Sequence, residues 1–103
     1  MAERLQRYLA IIRLKPGTPA GELARRIPVL HALLSQIANG ESEVAFAAPK
    51  DNLFGMFFRT IAVSVRDQLD RATEDGDAFL IIEVEECGGH KGMGRAATWL
   101  QRH

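Results

Sequence analysis

The stretch AFLIIEV at residues 78–84 decides how this chain is read. Side chains on a strand alternate between its two faces, so Ala78, Leu80, Ile82 and Val84 point one way and Phe79 and Ile81 the other. Both faces are apolar. YLAIIRL at residues 8–14 repeats the pattern: Tyr8, Ala10, Ile12 and Leu14 form one face, while Leu9 and Ile11 open the opposite one before Arg13 and Lys15 turn it polar. A strand with one solvated face alternates apolar with polar. Two strands that are apolar on both sides therefore predict a sheet covered twice, once by its own helices and once by something else.

The segments between these strands supply the helices. Lys15, Pro16 and Gly17 punctuate a turn, after which Thr18 is expected to cap a helix whose first residue is Pro19. That piece runs to about Arg26, and Pro28 either kinks it or opens a second helix. Leu30, Leu33, Leu34 and Ile37 then make an amphipathic stripe that Asn39 and Gly40 end. Residues 43–48 and 53–59 read as a hairpin joined by Pro49, Lys50, Asp51 and Asn52. Thr60 is expected to cap a further helix with Ile61, Val65, Leu69 and Ala72 on one face and Arg66, Asp67, Asp70 and Arg71 on the other. A turn at residues 74–77 leads into the strand 78–84, and a short helix at 94–102 carries Ala96, Ala97, Trp99 and Leu100.

Strand, helix, strand, strand, helix, strand is the split βαβ order of a ferredoxin-like βαββαβ sandwich. That α+β fold has a four-stranded antiparallel sheet with two main helices on one face, here with a C-terminal helix added. At 103 residues the chain has room for a single domain and one core.

Composition narrows the function classes. Thirteen Lys and Arg balance thirteen Asp and Glu, which disfavours a nucleic-acid or membrane-surface partner and removes the net repulsion that opposes self-association. Cys87 has no second cysteine to pair with, and no apolar run approaches the ~20 residues that span a bilayer. No stretch near the start has the make-up of a secretory leader. These features predict a soluble protein of the cytoplasm.

The second sheet face supplies the leading candidate site. Leu9, Ile11, Phe57, Phe79 and Ile81, with Trp99 of the tail helix, are read as an interface. The expected function is a non-enzymatic protein–protein interaction module, an adaptor, inhibitor or regulatory subunit, whose partner is a second copy of the chain or another protein. A monomer sealed by its own tail is the competing reading. CGGHKGMGR at residues 87–95 reads first as a flexible connector. Its alternative is a small-anion or nucleotide site built from Gly89, Lys91, Gly92, Gly94 and Arg95, since glycines permit close backbone approach and a helix follows. Cys87 and His90 suit zinc as thiolate and imidazole but lack two further ligands, and no cofactor is expected.

Tyr8, Phe54 and Phe58 resemble the base-stacking aromatics of an RNA-recognition sheet. Asp51, Asn52 and Met56, however, stand where that pattern has a basic residue, a glycine and an aromatic, and core packing is the preferred reading. His31 falls on the polar side of its helix and is expected at the surface.

Overall fold

The computed structural model describes residues 5–61, 64–85 and 91–102. It is a small α+β domain with a four-stranded antiparallel sheet and three helices: β1 (Gln6–Arg13), α1 (Ala20–Ile37), β2 (Ser42–Ala48), β3 (Leu53–Thr60), α2 (Val65–Ala72), β4 (Ala78–Glu83) and α3 (Gly94–Arg102). The strands lie in the order β2-β3-β1-β4, which puts β2 and β4 at the edges.

Register sorts the side chains. β1 and β3 pair even residue with even residue, Tyr8 opposite Phe58 and Ile12 opposite Phe54. Their even faces, with Leu14 just after β1, bury Ala10, Ile12, Leu14, Phe54, Met56 and Phe58 beneath Leu30 and Leu34 of α1, Ala38 at its C-cap, and Val65 and Leu69 of α2. The Tyr8 ring stacks on Phe58 with centroids 5.5 Å apart. The three aromatics that resemble an RNA platform therefore face the helices. Phe54 and Phe58 are 2% and 0% exposed, so no base can stack on them.

β4 pairs with β1 in the opposite parity, Phe79 opposite Ile12 and Ile81 opposite Ala10. Phe79 and Ile81 consequently pack against the helix-covered core, and Leu80 and Ile82 carry the second face. This corrects the expectation that Phe79 and Ile81 share a surface with Leu9 and Ile11. The central residues of both strands are apolar on both sides, with polar residues only at the strand ends, so the register is weakly marked and a one-residue slip exchanges the faces.

Local chemistry explains most boundaries. α1 runs through Pro28 as one continuous helix, so the proline does not open a second one. Pro28 is exposed, and the helix bond its ring removes would end on the carbonyl of Ala24, also an exposed residue, so water can take the bond's place. The helix ends as expected: Asn39 adopts φ 54°, its N–H donates to Gln36 O, and that of Gly40 donates to Ser35 O, the paired bonds of a Schellman stop. Thr18 is not the cap, because its hydroxyl donates to Lys15 O in the preceding turn and Pro19 takes that position. Nor does Thr60 cap α2. It is the buried last residue of β3 and donates to Ile37 O at the end of α1, while Ile61 is exposed and outside the helix.

β2 carries a bulge between Val44 and Phe46. The bulge brings Phe46 opposite Gly55, where its ring lies so close that a Cβ at residue 55 would sit 2.2 Å from Cε1. Gly55 is the space the Phe46 ring fills, which is why glycine stands in the middle of an otherwise bulky strand.

Candidate functional site

The second face is built from the side chains that the core leaves over. Phe57 of β3, Leu9 of β1, Ala45 of β2 and Val84 meet Ala96, Trp99 and Leu100 of α3 in a second, smaller cluster. The Trp99 ring stacks on Phe57 at 6.0 Å and 11°. Arg7 donates to the carbonyl of Leu100 at 2.6 Å, holding the last turn of α3 to β1 where a cation suits the helix C-terminus. The tail helix thus covers one end of this face within the same chain. Phe57 and Trp99, both expected at an interface, are spent on each other, and Leu9 is half-buried at the margin.

The other end stays open. Leu80 and Ile82 are 55% and 43% exposed, beside half-buried Ile11 and Leu53. A shallow cleft of about 210 Å³ lined by Ile11, Arg13, Leu53, Ala78, Phe79 and Leu80 marks the place. Of the six residues proposed from sequence, Ile11 lies in this strip, and Phe79, which packs against the core, also lines the cleft.

A larger cleft of about 550 Å³ lies between β2 and α3, lined by Glu43, Arg95, Thr98, Trp99 and Arg102 among others. Arg95 reaches Glu43 at 3.5 Å with its side chain 88% exposed, a surface pair worth at most about 1 kcal/mol. Arg95 therefore turns toward a carboxylate across the cleft. Lys91 and Gly92 are exposed ahead of the helix and Gly94 is exposed as its first residue, and Gly92 has φ 74°. Gly89, and the pair Cys87 and His90, lie outside the described residues. Among the described residues there is no cluster of three or more His, Cys, Asp or Glu side chains that could hold a metal ion. Nor is any described helix long and apolar enough to cross a membrane.

Two polar residues hold positions that the periodicity of the chain does not announce. Asp77 has a fully buried side chain. It accepts from Arg26 Nη2 at 2.7 Å, from the Lys15 N–H at 2.8 Å and from the Glu74 N–H at 2.7 Å. Burial alone would push the Asp77 carboxyl up, but its bond to Arg26, the two backbone N–H groups and the charge of Arg26 together hold it below its ordinary value. The bond to Asp77 correspondingly raises Arg26, against the cost of burial. One carboxylate thereby ties the end of β1, the helix α1 and the turn before β4 together.

His31 is the second. Its ring meets Phe54 edge-on at 4.6 Å, and Nε2 is buried with no hydrogen-bond partner, so it is not the surface residue expected. Burial lowers its pKa from the ordinary 6.5. The fold therefore favours the neutral ring, and the unfolded chain binds the proton more readily. Stability from this site is present above pH 6.5 and is lost as the pH falls through the folded value. Urea midpoints measured between pH 7.5 and 5 are expected to fall in the wild type and to change less in His31→Leu. Equal slopes would remove His31 as the cause.

A scan against models of known protein families and a search among curated proteins both found no match for this chain.

Proposed function

We propose that this chain is a protein-interaction module of the cytoplasm that works by self-association, without chemistry of its own. Its β2-β3-β1-β4 order with α1 and α2 on one face corresponds to a ferredoxin-like sandwich. That architecture hosts unrelated functions, so the site carries the reading and the fold does not.

The observation behind the proposal is the open end of the second face. Leu80 and Ile82, with Ile11 beside them, form an aliphatic strip that α3 leaves uncovered. A fully buried aliphatic side chain is worth about 1.5 to 3 kcal/mol, so a strip contributed by each of two copies can offset part of the cost of association. A zero net charge leaves no long-range repulsion between them.

Sedimentation over a concentration series is expected to show a reversible dimer. Leu80→Glu or Ile82→Glu should weaken it by roughly 10- to 100-fold, the equivalent of one lost aliphatic contact. Both positions are exposed, so the monomer fold is expected to survive. A wild type that remains monomeric at every concentration defeats the proposal.

A further inference from the structure

The two edges of the sheet are built differently. β2 is bulged between Val44 and Phe46, runs into Pro49 and has α3 packed near it. A bulge and a proline are devices that stop a strand edge from recruiting another strand. β4 has neither. Its six residues, Ala78–Glu83, pair without a break against β1, contain no proline and no lysine, and among the described residues have β1 as their only neighbour in the sheet.

The direction of the free backbone groups follows from one bond. The Val84 N–H donates to Arg7 O at 2.9 Å, so in this antiparallel ladder the even residues of β4 point their N–H and C=O groups at β1. Phe79, Ile81 and Glu83 point theirs outward. We propose that the β4 edge is the site of self-association, taking β4 of a second copy antiparallel about a two-fold axis through Ile81 and joining two sheets into one of eight strands.

The register is set by the sequence. With Ile81 on the axis, Phe79 faces the partner's Glu83 and Glu83 faces the partner's Phe79, so each outward residue meets another outward residue. Two bonds at each of these three pairs make six in all. A shift of two residues in either direction sets Glu83 or Phe79 opposite a residue beyond the strand. In the unshifted register Leu80 lies beside the partner's Ile82 on the second face, and Ile82 beside the partner's Leu80. The exposed strips of both copies thereby close into one patch across the new strand pair. An isologous contact of this kind is closed, so it ends at the dimer.

The inference rests on the self-association proposed above and adds its geometry, which can be tested separately. Leu80 and Ile82 would form non-hydrogen-bonded cross-strand pairs, with Cα atoms about 4.5 Å apart, inside the range a disulfide bridges. The double variant Leu80→Cys, Ile82→Cys, in a background with Cys87→Ser, is expected to give a covalent dimer on mild oxidation. Leu80→Cys alone is expected to give none, because residue 80 lies diagonal to its own copy. On the wild-type protein, amide exchange at Phe79, Ile81 and Glu83 should slow as concentration rises through the dimerisation range.

A dimer in sedimentation, weakened by Leu80→Glu, that shows neither the cross-link nor the concentration-dependent protection would overturn the edge geometry and leave the strip as the contact. A wild type monomeric throughout overturns both.

Discussion

Arg26→Ala is expected to destabilise the fold by about 3 to 5 kcal/mol, because it strips a buried carboxylate of its counter-ion. The Asp77 side chain is fully buried and the Arg26 side chain is 9% exposed, so in the intact fold the guanidinium and not water satisfies the carboxylate. For a domain of this size the loss corresponds to a fall in Tm of at least about 12 °C. Arg26 also approaches Glu74 at 3.5 Å, but that carboxylate is mostly exposed and contributes little. Asp77→Ala should also destabilise, since it leaves the largely buried Arg26 guanidinium without its closest acceptor. The double variant should cost much less than the sum of the two, the non-additivity of a directly coupled pair.

The pH dependence separates this mechanism from a general packing defect. Asp77 is held below its ordinary 3.8 in the fold, so its contribution is present above that pH and is lost as the pH falls through the folded value. In Arg26→Ala the burial that pushes Asp77 up is opposed only by the Lys15 and Glu74 N–H groups, and the part of the acid-sensitive contribution that Arg26 supplies is lost. The stability difference between wild type and variant should therefore be full at pH 7 and shrink below about pH 4. A difference that stays constant across the acid range would assign the loss to the arginine stem instead. The loss due to His31 begins higher, as the pH falls below 6.5, and does not depend on the Arg26–Asp77 pair.

The two predictions probe parts of the molecule that the sequence reveals unequally. Helix and strand positions were legible because the periods of three to four in Leu30, Leu33, Leu34 and Ile37, and of two in residues 8–14, are strong signals that Pro49, Asn52, Asn39 and Gly40 punctuate. Face assignment was legible only in part. Phe57 and Leu9 lie on the second face as expected, but Phe79 and Ile81 do not, because the parity of β4 against β1 depends on a register that two strands with doubly apolar centres mark only weakly. Asp77 sits in the acidic run Glu74, Asp75, Asp77, which reads as a solvated turn. The partner that makes it structural is Arg26, fifty-one positions away, and nothing local announces a pair at that separation. His31 was misplaced for a similar reason. Its helical phase is polar, yet the Phe54 ring reaches it from β3.

Trp99→Ala is expected to have the second large effect and to change behaviour as well as stability. Truncating a buried aromatic costs about 3 to 5 kcal/mol, and the low end applies here because Arg7 and Leu100 still hold α3 to the sheet. The functional consequence concerns what α3 hides. With the ring gone, Phe57 loses its 6.0 Å stacking partner, and an apolar area continuous with Ile11, Leu80 and Ile82 opens across the face. In the proposed dimer α3 thus limits association as well as adding to the fold, confining the exposed strip to the β4 side. Trp99→Ala is therefore expected to unfold at lower temperature and to scatter light as species larger than a dimer, whereas Trp99→Phe, which keeps an aromatic ring over Phe57, should stay close to wild type in both. Adding Leu80→Glu to Trp99→Ala should not restore the lost stability, because the ring that covers Phe57 is still missing. If Trp99→Ala shows the wild-type unfolding temperature and no larger species, α3 does not shield that face in solution, and the division of the sheet into a sealed end and an open end fails with it.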